Sequence, residues 1–333
     1  MAKNTNNCYC GIGGQAVLEG VMMKNQDVYA VSVRKPDGSI ETMQGEHKGI
    51  WADKKLTKMP FIRGVFNFVD SLVLGMQTLT WSADFYEDDT QSKPSKIEKF
   101  LMKVLGEKAE KFIMGMTVAF SILMAVAIFM VLPFFISSFF AEYVRSTTLL
   151  AVLEGVLRIL IFLGYVVIIS AMKDIRRVYM YHGAEHKCIN CLENGRELNL
   201  HNVRLSSRQH KRCGTSFLLF VMVVSVVLFM FIRVTNPALH LVIRLLLIPV
   251  IAGISYELIR LAGKTDNPII NLLSAPGLLL QKLTTKEPDD DMIEVAIASV
   301  EAVFDWRTYL KENFGLVVPV KTEEADSCED VQA

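Results

Sequence analysis

Residues 112–141, FIMGMTVAFSILMAVAIFMVLPFFISSFFA, contain no charged side chain and indicate the class of fold. The hydrocarbon core of a bilayer is about 30 Å thick, and roughly 20 apolar helical residues cross it. Three further apolar stretches approach this length, so we predict transmembrane helices at 112–140, 148–172, 214–232 and 238–260. The predicted class is an α-helical multi-pass membrane protein with about four transmembrane helices.

The distribution of positive charge predicts the orientation. Residues 91–111 hold six lysines and 173–213 hold nine Lys or Arg, whereas 141–147 and 233–237 hold one Arg each. Loops on the cytoplasmic side of a membrane are enriched in Lys and Arg. We therefore expect both termini and the 173–213 loop to be cytoplasmic, in a chain of the cell's inner (cytoplasmic) membrane.

Lys plus Arg and Asp plus Glu both number 35, so bulk electrostatic attraction to nucleic acid is not indicated. The expected partner is the lipid bilayer, with a protein partner or a second copy of the chain left open. The N-terminal sequence MAKNTNNCYCGIGG lacks the pattern of a secretory signal. The six cysteines then lie at or near the cytoplasmic side, where thiols stay reduced, which favours ligand or reactive roles over disulfides.

Local patterns divide the chain into segments. The strand-like sequences QAVLEGVMM, VYAVSVR and SIETM, with the turn signal KPDGS, predict a small N-terminal β unit. TTKEPDDDMIEVAIASVEAVF predicts a C-terminal helix with acidic residues in its first turn. The predicted organisation is a β-rich cytoplasmic cap at 1–55, an interfacial helix and linker at 56–111 with the linker at 87–98, a four-span membrane domain at 112–262 containing the cytoplasmic His/Cys loop 173–213, an interfacial segment and cytoplasmic helix at 263–320, and a disordered tail at 321–333.

Two other apolar segments are not predicted to cross. A fifth span within 56–80 is disfavoured, because polar and charged residues are too frequent there. The segment 268–283 is interrupted by Pro276 and Gly277, so a membrane-surface or re-entrant segment is expected.

A candidate catalytic motif lies at 181–191, YHGAEHKCINC. His182 and His186 are four residues apart and share one face of a helix, with Glu185 beside them. This H-x-x-E-H spacing is used by inverted zinc peptidases, in which the histidines bind zinc and the glutamate is the general base. The motif therefore predicts a divalent metal site, and the ligand types favour zinc.

The surrounding sequence adds further metal-capable residues and leaves two ligand sets open. Four of the six histidines and three of the six cysteines lie between 182 and 213. One set is open and combines His182 and His186 with a third ligand, for which Glu257 is a candidate, although a pair with Arg260 explains Glu257 equally simply. The other set is a closed tetrahedral site that would only stabilise the fold. Its four members are Cys188, Cys191, His210 and Cys213. The third interpretation involves no metal: the residues are solvated loop side chains or lie at helix ends that face lipid headgroups.

Charges also occur inside a predicted span. Glu154 and Arg158 form an i, i+4 pair in the second span, where charges facing lipid are costly. We expect the pair to face the protein interior as a structural ion pair, with a proton or ion path as the alternative.

The sequences GGQAVLEGVMM, YHGAEHKCINCLENG, NVRLSSRQHKRCGTSFL and APGLLLQKLTTKEPDDDMIEVAI together resemble the bacterial membrane family DUF1385. The resemblance covers most of the chain and implies a predicted metal-dependent enzyme of undetermined activity. One departure is visible, because Lys24, Asn25 and Gln26 stand where the family pattern has Arg-Gly-Pro.

These observations lead to three functional hypotheses. The first is a metal-dependent hydrolase at the cytoplasmic face of the membrane, with Glu185 as the base that activates water. The second is a non-catalytic membrane scaffold or assembly factor with a structural metal site. The third is a small transporter that uses the intramembrane charges.

Overall fold

The computed structural model of the chain describes residues 8–49, 59–86, 109–144, 146–232, 234, 237–262 and 268–319. The predicted linker at 87–98 and the predicted disordered tail at 321–333 lie outside these residues, so both stay predictions.

The predicted N-terminal β unit is confirmed as a four-stranded antiparallel sheet in the order β1-β2-β3-β4. The strands are β1 (Ile12–Val17), β2 (Gly20–Asn25), β3 (Val28–Arg34) and β4 (Ile40–Glu46). The sequence QAVLEGVMM contains the end of β1 and the start of β2, because the chain reverses at Leu18 and Glu19 between them. Glu19 has a φ angle of 49°.

The remaining described elements are helical. They are α1 (Ile62–Ala83), α2 (Ala109–Val126), a π-helical turn (Ala127–Val131), α3 (Leu132–Phe139), α4 (Thr147–Ser170), α5 (Lys173–Glu193), α6 (Leu200–Arg204), α7 (Gly214–Phe229), α8 (Pro237–Ala262), α9 (Pro268–Thr284), α10 (Asp290–Val303) and α11 (Trp306–Phe314). The predicted C-terminal helix corresponds to α10.

The sheet is covered by helices on both faces. On one face, Val21 and Met23 join a core formed mainly by α5 and α10. On the other face, Met22 and Val31 pack with Leu74 of α1. This double coverage explains why β2 has consecutive buried apolar residues instead of the alternation of a one-sided strand.

Helix α1 joins the sheet to the apolar helices. Its Asn67 donates to the hydroxyl of Tyr256 in α8 at 2.7 Å, and its Arg63 contacts Glu257 of the same helix. Gly64 allows this approach, since a Cβ there would lie 2.6 Å from the Cβ of Tyr256. The helix predicted in 56–80 thus packs between the cap and the predicted membrane domain.

Three described helical segments are long and apolar enough to cross a membrane, namely Phe112–Phe139, Thr148–Ser170 and Leu239–Ala262. They correspond to three of the four predicted spans. The fourth predicted span, 214–232, contains the 16-residue apolar helix α7. Such a helix is about 24 Å long, which is shorter than a typical hydrocarbon core. The number of full-length candidate spans in the described chain is therefore three.

A π-helical turn lies within the first candidate span. Pro133 follows this turn, and its ring would clash with the carbonyl group four residues earlier in a regular α-helix. That earlier residue, Phe129, lies within the π-helical turn, which widens the helix locally.

Two segments are more regular than the sequence indicated. The 173–213 segment is not an open loop, because α5 and α6 occupy much of it and residues 181–193 of α5 are mostly buried. These residues share a core with the N-terminal sheet, α6, α10 and α11, and we call this whole unit the cap. Helix α9 runs through Pro276 and Gly277 without interruption. Gly277 lies against α7, since a Cβ there would approach the hydroxyl oxygen of Ser216 to 2.9 Å.

Candidate metal centre

The site begins with α5, which holds His182 and His186 on one face with their ring centroids 4.4 Å apart. Gly183 lies between them, and close packing explains why a residue of low helix propensity occupies this position. A Cβ at this position would lie 2.1 Å from the carbonyl oxygen of Lys286. Glycine therefore lets the segment after α9 pass directly over α5.

Cys213 immediately precedes α7 and supplies the third metal-capable atom. Its Sγ lies 3.1 Å from Nε2 of His182, and the ligand atoms of His182, His186 and Cys213 all lie within 4.8 Å of one another. Ligand atoms around a tetrahedral zinc ion are about 3.3–3.8 Å apart. Small side-chain movements would therefore bring the three atoms to zinc-bonding distances.

Hydrogen bonds fix which nitrogen of each histidine is available. Nδ1 of His182 lies 2.9 Å from the carbonyl oxygen of Thr284, and Nδ1 of His186 lies 2.6 Å from that of Arg208. A carbonyl oxygen only accepts, so Nδ1 carries the proton and Nε2 of the neutral ring keeps its lone pair. Metal-binding histidines are commonly oriented in this way.

Glu185 lies beside the three ligand atoms. Its Oε2 is 4.0 Å from Nε2 of His182, and its carboxylate accepts a hydrogen bond from the backbone of Gly14 in β1. Burial raises the pKa of Glu185 to about 6, although His182 and the Gly14 hydrogen bond act in the opposite direction. A Cβ at Gly14 would lie 2.9 Å from Cγ of Glu185, so glycine allows the strand to approach this carboxylate.

The predicted cysteine pair on α5 lies in the core of the cap. Cys188 and Cys191 are both fully buried, and Sγ of Cys191 lies 3.3 Å from the carbonyl oxygen of Glu197. Burial raises the pKa of Cys191 to about 11 and that of Cys188 well above its usual value, which disfavours the metal-binding thiolate. In the part of the chain that the structure describes, the four side chains of the predicted closed set are not brought together.

His210 lies next to the centre but contacts a different partner. Its ring is 5.8 Å from that of His186, and its Nε2 is 3.3 Å from Oε2 of Glu193. Glu193 also pairs with Arg212 and accepts the backbone N–H of Cys10. Burial lowers the pKa of His210, and Glu193 opposes that effect. This network joins the N-terminal segment to α5.

Glu257 is placed at the interface of α1 and α8. Arg63 donates to its carboxylate through Nε at 2.7 Å and Nη2 at 2.5 Å, whereas Arg260 lies 3.8 Å away. The sequence suggested Arg260 as the partner and did not indicate Arg63. Glu257 does not belong to the group of metal-capable side chains found among the described residues.

Sequence reasoning separated Cys213 from the two histidines, although the structure brings them together. The position of Cys213 before an apolar helix was visible in the sequence, but its neighbours on α5 were not. Gly14 was also missed as a contact of Glu185, because only the folded sheet brings β1 to α5.

Comparison with known proteins identifies the family. Residues 59–306 match the family described as "Protein of unknown function (DUF1385)". The chain is 34% identical over 307 residues to "Uncharacterized protein YqhQ" of Bacillus subtilis (strain 168), and the match covers 90% of this chain and 94% of that protein. No solved structure matches the chain. The chain therefore belongs to the DUF1385 family.

Proposed function

We propose that this protein is a multi-pass protein of the cytoplasmic membrane that binds one zinc ion through His182, His186 and Cys213 and hydrolyses a substrate there. The observation that carries the proposal is the orientation of the two histidines. Both use Nδ1–H to reach backbone carbonyl groups, so Nε2 keeps the lone pair that a metal would take, and in His182 this nitrogen faces Sγ of Cys213 at 3.1 Å.

The types of the three ligands support zinc as the metal, and their number supports a catalytic site. Imidazole nitrogen and thiolate sulfur are typical zinc ligands, and three protein ligands with one open position are typical of catalytic zinc sites. A bound zinc ion would supply Lewis-acid activation of a water molecule at that position. His186 and Cys213 are buried and His182 is partly exposed, so the site is reached from the side of His182.

Glu185 is the residue placed to accept a proton. Its carboxylate lies close to the ligand atoms without belonging to the group that could bind the metal, and the Gly14 hydrogen bond helps to orient it. A general base needs such a position, within reach of the water but not bound to the metal.

The composition of the cap supports the proposed topology. Its core combines the N-terminal sheet with α5 and α10, so these three parts lie on one side of any membrane. The chain must then cross an even number of times between β4 and α5, and again between α5 and α10. Phe112–Phe139 and Thr148–Ser170 satisfy the first condition. Leu239–Ala262 needs one further crossing, which α7 provides in our proposal.

Metal analysis tests the zinc site. We expect full-length protein purified in detergent without chelators to contain about one zinc per chain. The double variant His182→Ala, His186→Ala and the variant Cys213→Ser should lose it. His201→Ala, at an exposed histidine of α6, and Cys191→Ser, in the cap core, are matched controls and should keep it. Metal-free wild-type protein, or equal loss from folded control variants, would contradict the proposal.

A structural zinc is the second candidate function, because the ligands come from two different elements. His182 and His186 belong to α5, whereas Cys213 precedes α7. A metal bound by all three would therefore join the cap to an apolar helix without any catalysis. The two functions predict the same zinc content and differ in the importance of Glu185.

A further inference from the structure

Three charged side chains are buried together between α4 and α8, inside two of the candidate spans. Glu154, Arg158 and Arg244 are only 4%, 5% and 3% exposed. The sequence indicated the Glu154–Arg158 pair, but it did not indicate that Arg244 shares the same carboxylate.

The geometry shows that one carboxylate serves both guanidinium groups. Arg158 donates Nη2 to Glu154 at 2.9 Å, and Arg244 donates Nη1 at 2.5 Å and Nη2 at 2.7 Å. Arg158 also donates Nη1 to the hydroxyl oxygen of Ser225 in α7 at 3.0 Å.

The cluster has an excess of positive charge. Both guanidinium groups stay protonated in proteins, so two positive charges face a single negative charge. A charge buried away from water is costly unless it is paired. In addition, Nε of Arg158 and Nε of Arg244 are buried and have no hydrogen-bond acceptor in the described part of the chain.

The neighbouring rings reduce this cost without supplying a negative charge. Phe229 lies 4.9 Å from the guanidinium carbon of each arginine, and Phe134 lies 5.4 Å from that of Arg244. Such cation–π contacts stabilise the guanidinium groups, but a phenyl ring has no oxygen or nitrogen atom to accept a hydrogen bond from Nε. His240 contacts Phe134 edge to face, with ring centroids 5.4 Å apart, and brings no negative charge.

We propose that this cluster binds one small monovalent anion of the size of chloride. The anion neutralises the excess positive charge and accepts hydrogen bonds from N–H groups of Arg158 and Arg244. The deep burial and the close aromatic rings favour an ion over a larger substrate molecule. The site is separate from the zinc centre and does not depend on the proposed hydrolysis. The competing account is a structural ion cluster in which Glu154 is the sole counter-charge.

Thermal unfolding of the purified full-length protein tests the proposal. Chloride is varied against gluconate at constant ionic strength and the midpoint temperature is recorded. We expect the midpoint to rise by a few degrees as chloride increases, because a ligand that binds only the folded state stabilises it. Arg158→Gln removes the excess charge and should abolish the chloride-dependent shift. Glu154→Gln increases the positive charge and should move the shift to lower chloride concentrations.

Arg63→Gln is the matched control, since it removes an arginine that pairs with Glu257 outside the cluster, and it should keep the shift. Bromide provides a measurement that requires no variant, because its anomalous scattering in wild-type crystals should place a peak beside Arg158 and Arg244. An unchanged midpoint in wild-type protein, an undiminished shift in Arg158→Gln, or no bromide peak at the cluster would overturn the proposal.

Discussion

Glu185 is the residue at which the two proposed roles of zinc, catalysis and structural stabilisation, can be separated. Its carboxylate lies beside the ligand atoms, accepts the Gly14 N–H and is not a member of the metal-capable group. Replacing the carboxylate by an amide keeps the size of the side chain but removes its ability to take up a proton.

We predict that Glu185→Gln retains zinc and folds normally but fails to complement deletion of the gene. Loss of a general base typically costs about 10²- to 10⁴-fold in rate. Zinc content and thermal unfolding of the variant, measured beside a complementation assay, check this outcome. If the glutamine variant complements fully, hydrolysis through Glu185 is wrong and the structural role of zinc remains.

Gly183 provides a residue-scale test of the packing over α5. Alanine in place of glycine normally stabilises a helix by about 1 kcal/mol. At position 183 the added Cβ would lie 2.1 Å from the Lys286 carbonyl oxygen, so we expect Gly183→Ala to destabilise the protein by about 1–3 kcal/mol. Gly164→Ala in α4 is the control, because the added Cβ there would meet no atom within 4 Å apart from the adjoining residues and the backbone of its own helix. The measurement is the shift of the denaturation midpoint relative to the unaltered protein. Equal shifts in the two variants would show that the Lys286 carbonyl group does not restrict position 183.

At the residue scale, local spacing predicted part of the site. The i, i+4 spacing places His182 and His186 on one helix face without knowledge of the fold. The approach of Cys213 depends on how α7 packs against α5, and the sequence does not contain that information in any short pattern. Arg63 was missed as the partner of Glu257 for the same reason, because the two lie on different helices.

At the scale of elements, composition predicted the apolar helices more accurately than the polar ones. The candidate spans Phe112–Phe139 and Thr148–Ser170 agree closely with the predicted spans 112–140 and 148–172, since an uncharged apolar run is a local property. The 173–213 segment contains many charged residues and was predicted to be a loop. Its helix α5 is stabilised by burial in the cap, which is a tertiary effect.

The contact between α1 and α8 gives an element-scale prediction. We expect Glu257→Gln to leave the zinc content unchanged, because Glu257 binds Arg63 and lies outside the metal-capable group. The pair is partly exposed, so the free energy of unfolding should fall by only about 1 kcal/mol. Metal analysis and denaturant unfolding provide the two measurements. Loss of zinc from a folded Glu257→Gln variant would restore Glu257 as a ligand.

At the scale of the whole molecule, the core shared by the sheet, α5 and α10 limits the proposed topology to an even number of crossings between these parts. Sequence charge predicted that both termini lie on the cytoplasmic side, and this orientation stays a prediction; the structure brings the sheet, α5 and α10 into one core. The total number of crossings was harder to predict, because α7 is apolar but short.

Cysteine labelling in intact cells tests this topology. The native cysteines of α5 are buried, so their failure to react would not be informative. Cysteines introduced at Ser39 and Glu312, both on the exposed surface of the cap, should be protected from a membrane-impermeant reagent until the cells are opened. A cysteine introduced at Ser146, between α3 and α4, should react from outside. The unaltered chain gives the background, and the reverse pattern would overturn the orientation.

The core shared by the sheet, α5 and α10 also has a consequence for biosynthesis. The ribosome releases the sheet long before α10, and at 5–20 residues per second the interval is roughly 10–50 s. During that time one face of the nascent sheet lacks the helix whose Ser299 hydroxyl donates to the backbone of Val21 and Ala30. If the candidate spans cross a bilayer as proposed, a chain that has inserted an odd number of them holds α10 on the side opposite to the sheet. In the proposed topology, closure of the cap therefore distinguishes an even number of inserted spans from an odd number, and the odd number leaves one face of the sheet uncovered.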